Sequence, residues 1–188
     1  AEAYAKPEDI KQYIGEAYFF RAYSYFDLLQ LYGDVIITKK PLDITDPEMK
    51  VKRNDRSEVV DLIIDDLNHA VENLPAFKEL TTEEEGRISK EGAQAFLSRV
   101  ALYEGTWQKS RNGNQNTQRS ANLLDIAAKA ARTVIDAKYG YTFRLFGTDS
   151  ETKILGDSAQ KYMFILENEK SNPAGIKKSS NHEYIFAR

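Results

Sequence analysis

Apolar positions along this chain recur at helical spacing, in four long stretches separated by polar segments. The first stretch runs from about Pro7 to Tyr32. Pro7 suits a first turn, where its missing N–H costs nothing, and Gly33 can take the left-handed conformation that ends a helix. Between Gly15 and Val35 the sequence reads GEAYFFRAYSYFDLLQLYGDV, with aromatic and aliphatic residues on most of the circumference. A helix apolar nearly all round must be covered on several sides, so this one is expected to be a spine around which the others pack. Val35–Thr38 then reads as a short extended run, and Lys39–Asp55, with Pro41 and Pro47, as a loop.

The second stretch runs from about Ser57 to Leu74, with Ser57 or Asp55 as N-cap. Val60, Ile63, Ile64, Leu67, Ala70, Val71 and Leu74 form its apolar face. Asp61, Asp65, Asp66 and Glu72 are assigned to the solvated one, and Pro75 stops the helix. The third helix is capped by Ser89 and runs to about Lys109, with Ala93, Phe96, Leu97, Val100, Ala101 and Tyr103 facing inward. A polar loop, Arg111–Gln118, leads to the fourth helix, about Ser120 to Lys138. Leu124, Ala127, Ala128, Ala131, Val134 and Ile135 are expected inside it, small residues that admit a close neighbour. After Tyr141 the pattern is irregular, apart from a short helix near Ser158–Met163 and a closing strand at Glu183–Phe186.

Two successive helix–loop–helix pairs of similar length follow the logic of tetratricopeptide repeats, in which each pair buries its apolar face against a neighbour. The expected fold is therefore all-α: one tetratricopeptide-like helical scaffold domain over 1–188, with 141–188 as an irregular extension ending in a short strand. Both ends read as cuts through a longer protein.

Composition narrows the chemistry. The formal net charge is −3, with no basic excess to release counterions from a nucleic-acid backbone, so nucleic acid is not an expected partner. Cysteine is absent, which removes disulfides, thiolate metal sites and cysteine nucleophiles together. No apolar run approaches the length needed to span a bilayer. His69 and His182, the two histidines, stand in no metal-ligand spacing. No glycine-rich phosphate loop or nucleophile elbow is present, and Asp65 and Asp66 are adjacent on one helix and point apart. No catalytic residue, metal site or cofactor is expected, and the chain does not read as an enzyme.

Arg21 stands on the aromatic helix beside Ala17, Ser24, Leu28 and Leu31, where its guanidinium would be covered. A buried charge without a partner is very costly, so a carboxylate is expected close by. Glu16 can reach a neighbouring helix in the same way, and Arg99, midway along the third helix, is its expected opposite. Glu16, Arg21 and Arg99 are thus read as a structural polar clamp. Trp107 lies at the end of the third helix. It reads as a cap on the hydrophobic stack or as a plate for a sugar ring, with Asn112, Asn114 and Asn116 nearby to bond hydroxyls.

In order, the segments GEAYFFRAYSYFDLLQLYGDV, EVVDLIIDDLNHAVENLP, GRISKEGAQAFLSRVALYEGTW, AAKAARTVIDAKYGY and NHEYIF resemble the SusD/RagB family. The Arg21 block with its Leu31-Tyr32-Gly33-Asp34 stop and the Gly86-Arg87 block are its most specific parts. The resemblance implies a tetratricopeptide-like scaffold of a surface-exposed, lipid-anchored outer-membrane protein. Such a protein binds glycans, or sometimes peptides, without cleaving them, and covers a SusC-like TonB-dependent transporter. It also implies that most glycan contacts come from loops before the first helix and after the closing strand. The resemblance carries no binding residue onto a numbered position; Trp107, Asn112 and Asn114 are glycan candidates on the reading of the residues alone. A generic tetratricopeptide-like adaptor for protein segments is the alternative, and an accessory domain of a glycoside hydrolase a third reading.

Overall fold

The computed structural model describes residues 7–84, 86–111, 117–166, 168 and 170–185. Among them lie four long helices, α1 (Pro7–Tyr32), α2 (Arg56–Asn73), α3 (Lys90–Arg111) and α4 (Thr117–Ile135), and a short α5 (Ala159–Met163). Gly33 takes φ +72° and returns its N–H to the Leu29 carbonyl at 3.0 Å, which ends α1. The next residue serves the following helix: Asp34 Oδ1 accepts the Arg56 N–H at 2.9 Å while Asp55 Oδ1 accepts that of Ser57 at 2.8 Å. Asp55 is therefore the N-cap of α2, and the stop of α1 helps to start it. Between them, Val35 and Asn54 form an isolated antiparallel bridge that closes the base of the loop. Ser89 Oγ caps α3 by accepting the Gly92 N–H at 3.2 Å.

Successive helices run antiparallel. The start of α1 meets the end of α2, where Gly15 abuts Leu74. Ser98 and Ser120 donate to the carbonyls of Ala127 and Gly105 across the α3–α4 pair. The result is an all-α stack of helical hairpins. Its main core joins Phe19, Phe26 and Leu29 of α1, Val59, Ile63 and Leu67 of α2, Leu97 and Val100 of α3, and Leu123 of α4.

The aromatic helix is not the central pillar. One face of α1 packs on α2, and its rings reach α3, where Phe96 meets Phe19, Tyr23 and Phe26 at centroid distances of 5.5, 5.3 and 5.5 Å. The opposite face is open, with Tyr13, Phe20, Leu31 and Tyr32 all more than half exposed at 60, 51, 74 and 64 %. Apolar coverage of the circumference reports how many sides a helix could bury, not how many neighbours it has here.

The inward face of α4 is also rotated from the expected one. Ser120, Leu123, Ala127, Ala130 and Val134 are buried, whereas Ala128 is exposed and Ile135 is 69 % exposed. The Ser120–Gly105 hydrogen bond at 2.8 Å fixes that register at the first turn.

Beyond α4 a second small core gathers Phe146, Leu155, Ala159, Leu166 and Ile176. Polar side chains shape its turns. Asp149 Oδ1 accepts the N–H groups of Glu151 and Thr152 at 3.0 and 2.8 Å. Asn172 Oδ1 accepts that of Ile176 at 2.9 Å while its Nδ2 donates to the Ile176 carbonyl at 2.7 Å. Ring contacts of Phe77 with Tyr141 and Phe143, at 4.5 and 5.3 Å, tie this segment to the α2–α3 connection. The expected closing strand is not formed by Glu183–Ile185, and Phe186 lies outside the described residues. Glu183 instead accepts the Phe146 N–H at 2.9 Å. No neighbouring strand is available among the described residues to pair with it.

Candidate functional site

Among the described residues, three arginine–carboxylate pairs with covered carboxylates tie the elements together, and a fourth, Arg119–Asp61, links α4 to α2 at 2.8 Å with the carboxylate exposed. Arg21 Nε and Nη2 donate to the two oxygens of Asp66 at 2.7 and 2.6 Å, and Asp66 is fully buried. This geometry is the bidentate fork that makes arginine–carboxylate pairs strong. The hydrogen bonds to Asp66 push the Arg21 pKa up against the opposing effect of its burial. Ala17, Ser24, Leu28 and Leu31, the expected cover for Arg21, are exposed. Arg21 sits at the edge of that face and turns toward α2.

Asp66 therefore does not belong to the solvated face with Asp61 and Asp65. It falls at helical spacing with Val59, Ile63 and Ala70, so the apolar periodicity of α2 contained the signal. A charged residue on a core stripe marks a buried pair.

Glu16 does not face Arg99. Its oxygens accept from Arg87 Nε and Nη2 at 2.7 and 2.9 Å, with the Arg87 guanidinium also 4.9 Å from the Tyr13 ring centre. These contacts, chiefly the hydrogen bonds to Glu16, hold the Arg87 pKa well above its ordinary value. Arg99 is exposed on α3 and forms no ion pair among the described residues. Its place on the helix turns it to solvent, one position off the Leu97–Val100–Ala101 stripe.

The third pair was not anticipated. Arg56 Nε lies 3.2 and 2.9 Å from the two oxygens of Glu104, and its Nη1 donates to the Leu29 carbonyl at 3.3 Å. Glu104 is fully buried and also accepts from Gln108 at 2.7 Å. One guanidinium thus ties α2 to the last turn of α1 and to α3. Leu97, Ala101, Glu104 and Gln108 share one stripe of α3, the same signal that Asp66 gave on α2.

Trp107 stands over this cluster. The Arg56 guanidinium lies 4.1 Å from its ring centre, a cation–π contact that takes one face of the indole. Trp107 is half-buried, near the end of α3. The other glycan candidates, Asn112 and Asn114, lie outside the described residues, as does Asn116. No three acidic or histidine side chains among the described residues form a metal-ligating group.

A family model described as SusD-like, starch-binding and associating with the outer membrane matches residues 2–102. SusD-like protein P38 of Formosa agariphila is 37 % identical over 93 residues, covering 49 % of this chain and 17 % of that protein. The crystal structure of a SusD-like protein from Bacteroides fragilis superposes with a TM-score of 0.67 at 26 % identity, over 97 % of this chain and 28 % of that one. A laminarin-binding SusD-like protein gives a TM-score of 0.58 at 25 % identity, over 84 % of this chain and 31 % of that one. This chain belongs to the SusD-like family. It spans less than a third of the length of each of these relatives.

Proposed function

We propose that this chain is the helical scaffold of a glycan-binding outer-membrane lipoprotein that hands oligosaccharide to a TonB-dependent, SusC-like transporter. The carrying observation is the family match over residues 2–102. The fold supports it, because hairpins locked by three arginine–carboxylate pairs make a rigid frame for binding loops. The laminarin-binding relative supports a glycan ligand. Surface exposure and a lipid anchor are part of the same reading. The protein holds its ligand without cleaving it. Bound sugar would be fixed by ring stacking and hydroxyl hydrogen bonds.

The test is a glycan array with the longer protein that contains this chain, alongside co-purification with its transporter. Selective binding of a neutral polysaccharide, and co-purification, are the expected results. A blank array together with capture of an extended peptide would replace this reading with a protein-segment adaptor.

A further inference from the structure

The stack is finished differently on its two sides. The outward side of α4 carries ion pairs, Lys129 with Asp125 at 2.6 Å and Arg132 with Asp136 at 3.8 Å. A helical-repeat array meets water in this way, through a polar outer face on its terminal unit. The outward side of α1 has no such face. It carries a stripe that keeps a period: Ile10, Ile14 and Ala17 lead to Arg21, and Ser24, Leu28 and Leu31 follow, at alternating steps of four and three residues. All but the half-buried Arg21 are exposed. A 3.5-residue period held over three heptads is the seam along which one helix packs on another. A strand or an irregular segment resting on this face would give it no reason to keep that period.

The seam is graded in size. Its ends are Ile and Leu, and the small Ala17 and Ser24 stand on either side of the centre. Ser24 Oγ already donates to the Phe20 carbonyl at 2.8 Å, so this residue is left to act by its small volume. A partner helix thus comes closest at mid-length, at the ~8–10 Å separation and about 20° crossing angle of seam packing. At the centre, Arg21 commits Nε and Nη2 to Asp66, which leaves Nη1 without a partner among the described residues. Its N–H groups call for an acceptor on the partner, a carboxylate or an amide oxygen at the facing core position. A second copy of this chain cannot supply one. Paired in register, in either direction, it sets Arg21 against Arg21, and like charges facing each other oppose association.

We infer that the outward face of α1 receives an amphipathic helix from the part of the longer protein outside residues 1–188. That helix is about 20 residues long, enough for three heptads, with apolar residues at the same period and an Asp, Glu, Asn or Gln facing Arg21. This chain spans less than a third of the length of its relatives, which leaves ample polypeptide to provide it. The inference does not depend on which ligand the protein binds.

Two experiments on the longer protein test it. Hydroxyl-radical footprinting of the unaltered protein compares leucines of one helix, the outward Leu28 and Leu31 with the fully buried Leu29. The three share one intrinsic reactivity, so a docked helix should bring Leu28 and Leu31 down to the rate of Leu29. Oxidation severalfold faster than that of Leu29 overturns the docking. Tyr13→benzoylphenylalanine and Phe20→benzoylphenylalanine, each irradiated in turn, then identify the occupant. Both positions are aromatic already and stand beside the seam rather than in it, and the footprint on the unaltered protein holds whether or not these variants fold. The two probes lie seven residues apart, so intrachain cross-links one heptad apart on a single segment outside 1–188 are expected. Cross-links to a second copy, to the transporter or to a segment without that spacing overturn the inference, as does the absence of any cross-link from folded variants. None of these results bears on the glycan array, so the glycan reading stands or falls separately.

Discussion

Arg21 and Asp66 stand 45 residues apart in sequence, and the guanidinium of one holds both carboxylate oxygens of the other at 2.7 and 2.6 Å. The two ends are unequally covered: the Arg21 side chain is 34 % exposed and that of Asp66 1 %. Losing one partner is therefore asymmetric. Arg21→Ala leaves a buried, uncompensated carboxylate and should cost about 3 kcal/mol. Asp66→Asn leaves an arginine that can turn to water and should cost less. Joint replacement by Met and Leu should restore most of the loss. Urea unfolding of the four proteins checks this, and equal losses for the two single variants would refute the asymmetry.

Arg56 makes a second contact of this kind, here with both side chains covered, at 11 and 0 % exposure, and with its own optical reporter. Trp107 is the sole tryptophan, and the Arg56 guanidinium covers one of its faces at 4.1 Å. Arg56→Ala should destabilise by about 3–5 kcal/mol, because Glu104 is then buried unpaired. It should also shift the indole emission in the native state. Glu104→Gln keeps a hydrogen-bonding partner and should lose less. An unchanged emission spectrum in a folded Arg56→Ala chain would place the indole elsewhere.

The four helices could be read from periodicity because each carries an apolar stripe and a terminal signal that act locally. Gly33, Asp55, Ser89 and Pro75 mark ends by backbone geometry or one short hydrogen bond. Partner choice is not local. Which carboxylate meets Arg21 depends on the lateral register of α1 and α2, and Glu16 finds Arg87 across 71 positions. Asp66 and Glu104 nevertheless left a trace, as acids standing on core stripes. The open side of α1 left only an excess of apolar residues, which leads one to expect an exposed apolar patch on this chain alone but does not tell a helix at the edge of the stack from one at its centre. The small core around Phe146 and Ile176 is built from Asx turns and short 3₁₀ segments, which carry no periodicity.

Helix contact also depends on one close approach. A Cβ on Gly15 would stand 2.9 Å from Leu74 Cγ and 3.0 Å from the Leu74 backbone nitrogen. The side chain can yield; the backbone at the end of α2 cannot do so without shifting the helix. Ala gains about 1 kcal/mol of helix propensity over Gly, and overpacking costs about 1–3 kcal/mol. Gly15→Ala should therefore be neutral to destabilising, and Gly15→Val clearly destabilising, by at least 2 kcal/mol. Thermal melts of both variants decide it. A stabilised Gly15→Val would mean that α1 and α2 are not in contact there.

Acid should loosen the second core before the helical stack. Burial works to raise the Asp149 pKa, but the N–H groups of Thr152 and Glu151, the Thr152 hydroxyl and nearby His182 together hold it below the ordinary carboxylate value. A depressed folded-state pKa contributes stability that is fully present above the unfolded value near 3.9. That stability is lost as pH falls through the folded pKa. Order in 146–176 should thus decline below about pH 4, seen as faster amide exchange there than in α2 and α3. Asp149→Asn should flatten this dependence. A parent chain whose 146–176 exchange is unchanged relative to the helices down to pH 2 would remove Asp149 as the cause.

The open face of α1 makes the last prediction. Tyr13, Phe20, Leu31 and Tyr32 expose large apolar surfaces along one helix, at 60, 51, 74 and 64 %. Tyr13 and Phe20 stand two turns apart on one side and Leu31 and Tyr32 at the helix end, with Ser24 and Asp27 between, and exposed apolar surface of this extent on a folded chain binds hydrophobic dyes. The isolated chain should therefore enhance anilinonaphthalene sulfonate fluorescence while keeping a cooperative melt. Phe20→Ser with Leu31→Ser should cut that enhancement severalfold. Because neither side chain is part of the buried core, stability should change by no more than about 0.5 kcal/mol per site. Dye enhancement that survives in the double variant would locate the exposed apolar surface on another element. A loss of cooperative melting in the variant would show that this face is buried after all.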